Sequence, residues 1–184
     1  MEKRYPGGRT LLLIQGDITT IAADAIGNAA NSGLRGGGGV DGAIHAAGGP
    51  AIMVELNAIR AERGGCPTGS AVATGAGNLP AKYVFHAVGP VYRGGRANEA
   101  AQLAACYRAC LQLAQSHAVR RLSLPSISTG VYGYPVSEAA AIAIGTVDEE
   151  LRVPGDLPID VVFVLYDQRT FEAYRQALSA RMLE

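Results

Sequence analysis

Apolar positions along the chain change period repeatedly, from short continuous runs to helical spacing and back. Leu11-Leu12-Leu13-Ile14 lies within residues 9–15, and Val161-Val162-Phe163-Val164-Leu165-Tyr166 forms the longest such run. Runs of this length predict strands covered on both faces, and the second belongs in the middle of a sheet. Shorter strands are expected at residues 24–29, 70–74, 82–88 and 122–127. The pair 70–74 and 82–88 should lie side by side, and Pro125 interrupts the last of these strands late. Between the strands the spacing becomes helical: residues 40–47, then Ile52, Leu56 and Ile59 in 51–61. Ala100, Leu103, Ala104, Tyr107, Cys110, Leu111 and Ala114 follow, and then Val136, Ala140, Ala143, Ile144, Val147 and Leu151. A last helix should run to about Arg181. Strands alternating with helices argue a layered α/β sheet with helices on both faces. No linker or internal repeat divides residues 1–184, so a single domain is expected.

In the stretch 28–45 (Asn-Ala-Ala-Asn-Ser-Gly-Leu-Arg-Gly-Gly-Gly-Gly-Val-Asp-Gly-Ala-Ile-His), the four consecutive glycines do not serve packing. Glycines bring no side chains and cost conformational entropy, which suits a backbone that must approach a ligand. Gly36, Gly37, Gly38 and Gly39 lie between a short strand and the first turns of a helix. A loop of this kind presents free backbone N–H groups and a partial positive charge, which together suit a phosphate. Asn28 and Asn31 flank the cradle on one side and Asp41 and His45 on the other. Asp41 and His45 are four apart and share a helix face. An amide can hold sugar hydroxyls, and a carboxylate can orient or deprotonate a water.

Two further loops sit where ligands bind in open α/β sheets, at strand ends. Gly16-Asp17-Ile18-Thr19 ends the first strand with an acid, and Ser128-Thr129-Gly130-Val131-Tyr132-Gly133-Tyr134-Pro135 follows the strand at 122–127. Ser128 does not lie in a nucleophile elbow. His86 and His117, on an apolar strand and near a helix end, are expected to be structural.

Composition narrows the class. The chain is 48% apolar and 17% charged, as in a globular protein, and its formal net charge is zero. No global field would attract nucleic acid or an acidic membrane, and no aromatic-basic stripe suggests direct RNA binding. The N-terminus lacks the apolar core of a signal peptide, and no run approaches a membrane span. The expectation is a cytoplasmic protein. Three cysteines without a CxxC pair argue against a disulfide framework and a zinc site; Cys106 and Cys110 read as buried, Cys66 as accessible. No metal or cofactor is expected.

These motifs, in this order and spacing, resemble the macro domain family. The resemblance is to its MacroD-like branch of ADP-ribosyl hydrolases and O-acetyl-ADP-ribose deacetylases. It spans nearly the whole chain, including Cys66-Pro67-Thr68-Gly69, Leu79-Pro80-Ala81-Lys82 and His86-Ala87-Val88-Gly89-Pro90-Val91. It implies a three-layer α/β/α macro domain fold with a mixed central sheet and a cleft for ADP-ribose. Asp17 would bind the adenine amino group, with the Ile18 N–H on the ring and Tyr166 against it. Asn28, Gly37, Gly38, Gly39 and Val40 from one loop, and Ser128, Thr129, Gly130, Val131 and Tyr132 from the other, would wrap the diphosphate and distal ribose. Asn31, Asp41 and His45 map to the positions implicated in hydrolysis. Asn31 would hold the distal-ribose hydroxyls, Asp41 would orient or deprotonate water, and His45 would orient Asp41 or the substrate. A substrate phosphate could take the proton instead of Asp41. Two positions depart from the branch: a larger apolar residue is usual at Gly27, where its absence should loosen the strand, and an arginine is usual at Ala46.

The function expected from these residues is hydrolysis of esters at the distal ribose of ADP-ribose. The substrates would be O-acetyl-ADP-ribose and mono-ADP-ribosylated Asp or Glu of proteins, acted on by a monomer. A non-catalytic ADP-ribose reader or regulatory module is the alternative.

Overall fold

Each apolar run becomes a strand because both of its faces find a helix layer. The computed structural model describes residues 1–155 and 159–183. One sheet contains β1 (Glu2–Arg4), β2 (Thr10–Gln15), β3 (Ala25–Ala30), β4 (Ala71–Gly75), β5 (Tyr83–Val88), β6 (Arg121–Leu124) and β7 (Asp160–Leu165). Their order across the sheet is β1-β2-β7-β6-β3-β5-β4. The inner strands β2, β7, β6, β3 and β5 run parallel, while β1 and β4 pair antiparallel at the two edges, so the sheet is mixed.

The helices are α1 (Gly39–Gly48), α2 (Ala51–Arg63), α3 (Glu99–Ser116), α4 (Val136–Arg152) and α5 (Gln168–Met182). Strand β7 shows how they divide. Val161, Phe163 and Leu165 join a core with Leu103, Tyr107, Ile144, Tyr174 and Leu178 of α3, α4 and α5. Val162 and Val164 join a second core with Ile44, Ile52 and Leu56 of α1 and α2. The pleat sends successive side chains to opposite faces, so a strand covered twice has no polar positions to alternate. The architecture is three-layered, α/β/α. Truncating Phe163, which is fully buried, would cost about 3–5 kcal/mol.

The strands differ in detail from the sequence expectation. Strand β7 is interior, but the centre of the sheet is β6. The run expected over 122–127 stops at Leu124, because Pro125 has no N–H to continue the ladder. Strand β1 has no apolar signature. It is a charged edge strand, held by pairing with β2 and by Lys3 Nζ, which lies 2.7 Å from Asp148 Oδ1 on α4. Burial pushes the Asp148 carboxyl up, but hydrogen bonds from Lys3, Tyr5 and Arg152 outweigh it and hold the group below the usual carboxylate range. Cys66 is buried with Cys106 and Cys110, against the expectation that it would be accessible. Among the described residues, no helix is long and apolar enough to cross a membrane.

The C-terminal ends of the five parallel strands share one edge of the sheet, and the loops leaving them build the site.

Candidate functional site

A cleft of about 650 Å³ opens at that edge, walled by the glycine loop before α1 on one side and the loop after β6 on the other. Helix α1 starts at Gly39, and its N-cap, Gly38, has no side chain to accept from the first turn. Gly39 has φ +57°, a left-handed conformation that glycine adopts without strain. Gly37, Gly38, Gly39 and Val40 all line the cleft, so the orphan N–H groups of the first turn lie along its wall. Asp17, Asp41 and Asp167 also line it, and neither Lys nor Arg is among the described lining residues. An anion entering here would meet backbone dipoles rather than side-chain cations.

Asp41 lies on the first turn of α1, almost completely buried, and its carboxylate is held from behind. Asn28 Nδ2 donates to Asp41 Oδ1 at 2.7 Å. His45 Nε2, one turn further along α1, lies 3.4 Å from the same oxygen. Oδ2 is therefore the oxygen left for the cleft; it lies 3.5 Å from the position a Cβ on Gly37 would take. Asn28 is fully buried on β3 and is not part of the cleft wall. Sequence reasoning expected it to touch a ligand, whereas its amide is spent on Asp41. His45 likewise stands behind Asp41 rather than in the lining.

Asn31 does line the cleft, and it shapes the glycine loop. Its Nδ2 donates to Gly36 O at 2.8 Å, and its Oδ1 accepts from Arg35 N at 3.1 Å. One Nδ2 hydrogen remains for another acceptor. The structure thus brings Asn31 and Asp41 together at the cleft, with His45 in support.

At the far end, the Gly16 N–H donates to Leu165 O, which sets Asp17 beside Tyr166. Asp17 Oδ1 accepts from the Thr19 N–H at 2.9 Å and the Thr19 hydroxyl at 2.7 Å, leaving Oδ2 open. Tyr166 falls just past β7 and is 82% exposed, a bare aromatic face on the rim. Ile18 also lines the cleft. The opposite loop contributes Ser128, Thr129, Gly130, Val131 and Tyr132 to the wall. Ser126 and Thr129 are joined through their hydroxyls at 2.8 Å, and the Tyr92 N–H donates to Tyr132 O, which pins the loop from outside.

Both departures from the branch pattern have a place in the structure. A Cβ on Gly27 would lie 2.8 Å from Leu124 Cδ2 and 3.2 Å from Pro125 Cδ. The side chains of Leu124 and Pro125 fill the space, so β3 is packed rather than loosened. Ala46 is exposed and outside the cleft lining.

Some residues that matter here gave little sign in the sequence. Gly89 follows β5 in the cleft wall, and Asp167 lines the rim while capping α5 through the Thr170 N–H at 2.8 Å. His86 is paired directly across from Asn28 in the β3–β5 register, and its ring meets Asn28 Nδ2 at 3.1 Å. A histidine inside a buried strand was the available signal, and it reads equally as core.

Comparison with known proteins agrees with this architecture. A sequence model described as Macro domain matches residues 27–143. A macro domain-containing protein of Caldanaerobacter subterraneus subsp. tengcongensis is 56% identical over 165 residues, 90% of this chain and 93% of that protein. An O-acetyl-ADP-ribose deacetylase of Salmonella gallinarum is 52% identical over 169 residues, 92% of this chain and 94% of that protein. Among solved structures, the Oceanobacillus iheyensis macrodomain with ADP superposes with a TM-score of 0.93 at 38% identity, covering 100% of this chain and 96% of that one. A variant of the same macrodomain with ADPR gives 0.93 and 38%, covering 100% and 99%. With a mixed sheet, a glycine-walled cleft at its C-terminal edge and matches of this extent, the chain belongs to the macro domain family.

Proposed function

We propose that this chain binds ADP-ribose and hydrolyses esters at its distal ribose, from O-acetyl-ADP-ribose and from mono-ADP-ribosylated Asp or Glu side chains. The observation that carries the reading is the divided state of the Asp41 carboxylate. Oδ1 is taken by Asn28, while Oδ2 remains at the cleft beside Asn31 and the first-turn N–H groups of α1. A reader of ADP-ribose needs the phosphate cradle and a base platform, but not a half-free carboxylate on the cleft wall.

In this reading Tyr166 stacks on adenine and Asp17 Oδ2 accepts from its 6-amino group, the position at which guanine carries a carbonyl oxygen that cannot donate. The diphosphate lies along the first-turn N–H groups of α1, with Ser128, Thr129, Gly130 and Val131 closing from the other side. Tyr132 packs over the distal ribose, and the spare Asn31 Nδ2 hydrogen meets a ribose hydroxyl. Asp41 Oδ2 accepts a hydrogen bond from the attacking water. For the acetyl ester, water adds to the carbonyl carbon, the bond to the ribose oxygen breaks, and that oxygen leaves protonated as a ribose hydroxyl. The relatives named O-acetyl-ADP-ribose deacetylase support the ester chemistry.

The test is to incubate the protein with O-acetyl-ADP-ribose and with a glutamate-linked mono-ADP-ribosylated protein, following ADP-ribose release. Release from both is expected. Tight ADP-ribose binding with no release from either would make the chain a reader.

A further inference from the structure

Strand β4 lies at the edge of the sheet, away from the cleft, yet a chain of hydrogen bonds runs from it to Asp41. The Thr74 hydroxyl donates to Gly75 O at 2.9 Å, so its lone pairs face the His86 ring, where Nε2 stands at 2.8 Å. His86 Nδ1 is 3.1 Å from Asn28 Nδ2, and Asn28 Nδ2 is 2.7 Å from Asp41 Oδ1. Thr74, His86, Asn28 and Asp41 are all buried.

Chemistry gives this chain one direction. A carboxylate oxygen needs a donor, so Asn28 must turn its NH₂ towards Asp41. The second hydrogen of that NH₂ then points at His86 Nδ1, which must carry a lone pair. A neutral imidazole with a bare Nδ1 is protonated at Nε2, and Nε2–H needs the acceptor that Thr74 supplies. Asn28 Oδ1 is left buried with no partner, which marks the NH₂ orientation as imposed from both sides rather than chosen by the amide.

We infer that Thr74 and His86 are positioning residues: by fixing the His86 tautomer they lock the Asn28 amide with its NH₂ on Asp41 Oδ1, and so aim Oδ2 into the cleft. The consequence for turnover rests on the ester-hydrolase reading above; the direction of the network rests on geometry alone. Without the Thr74 acceptor, His86 can protonate at Nδ1 instead. That hydrogen would oppose the Asn28 NH₂ and press the amide to turn, setting its carbonyl against the carboxylate.

Thr74→Val keeps the side-chain shape and removes the hydroxyl, whereas Thr74→Ser keeps the hydroxyl. For Thr74→Val, kcat on O-acetyl-ADP-ribose should fall about tenfold, with KM and the ADP-ribose Kd changed by less than about twofold; Thr74→Ser should recover most of the loss. Nitrogen-15 NMR of the ring should show His86 protonated at Nε2 alone in the wild type and as mixed tautomers in Thr74→Val. An unchanged kcat in a folded Thr74→Val protein, or a wild-type His86 protonated at Nδ1, would overturn the inference. If the wild type released no ADP-ribose, the ester reading would fail, and the ring spectrum of that same protein would still decide the direction of the network.

Discussion

Asn28 Nδ2 lies 2.7 Å from Asp41 Oδ1, and no part of Asn28 reaches solvent. The pair joins the strand that ends at the glycine loop to the helix that begins there, so it sets how β3 delivers α1. Asn28→Asp keeps the shape and places one carboxylate against another. Like charges at that distance cannot both ionise in a buried site. Release of ADP-ribose should fall by about tenfold to a hundredfold at neutral pH, chiefly in kcat, since Asn28 is not in the cleft wall. Steady-state kinetics on O-acetyl-ADP-ribose read this directly, and a loss confined to KM would place Asn28 on the ligand.

Asp17→Ala removes the open oxygen at the end of the cleft away from Asp41. A charge-assisted hydrogen bond contributes about 1.5–3 kcal/mol, so the ADP-ribose Kd should rise by roughly tenfold to a hundredfold. Calorimetry with ADP-ribose and its guanine analogue checks the assignment. The wild type should prefer adenine, and Asp17→Ala should lose that preference.

With neither Lys nor Arg in the described lining, the diphosphate would be held by backbone N–H groups. Screening weakens interactions between exposed charges over about 10 Å at 0.1 M salt, but acts little on hydrogen bonds made inside a cleft. The ADP-ribose Kd should change by less than about threefold between 0.05 and 0.5 M salt. A steep salt dependence would indicate a cation reaching the phosphates.

Burial, and secondarily the nearby His45, pushes the His86 ring from its usual range down to about 3. A group depressed in the folded state contributes stability that is present above its unfolded value, near 6.5, and lost as pH falls. Stability should therefore decline from about pH 6.5 towards pH 3, by up to about 1.4 kcal/mol per unit from this one ring. The Asp148 carboxyl, also held low, adds its loss only below the usual carboxylate range. Chemical denaturation at pH 7, 6 and 5 should show the decline in the wild type and a flatter profile in His86→Asn. Parallel profiles would mean that His86 takes up its proton in the fold as readily as in the unfolded chain.

The strands and helices were legible where burial imposes a period. Val161, Val162, Phe163, Val164 and Leu165 could be read as a doubly covered strand because no position in the run is polar. Tyr166, next in the run, looks the same in sequence but stands on the cleft rim, because the strand ends one residue earlier. Strand β1 was invisible, since an edge strand of three residues, Glu2, Lys3 and Arg4, is held by backbone pairing rather than by apolar side chains. In the site, the glycines and Asp41 were legible as a group, and the structure puts Gly37, Gly38, Gly39 and Asp41 together in the cleft wall. Gly27 could not be interpreted from sequence, because its reason is the approach of Leu124 and Pro125, residues almost a hundred positions away. Asn28 and His86 were visible as polar residues; what sequence withheld was that they stand behind Asp41, a place expected only for His45. Side-chain direction at the end of a strand depends on register, and the Asn28–His86 pairing exists only once β3 and β5 are aligned.

In the proposed function, Asp41 turns an ADP-ribose cleft into an ester hydrolase. The most direct measurement is ADP-ribose release from O-acetyl-ADP-ribose by wild type and Asp41→Ala, with ADP-ribose affinity measured on both. Release should fall by about a hundredfold or more while affinity stays within a few fold, as for a group that acts on water in the reaction. Equal rates in the two proteins would contradict the account.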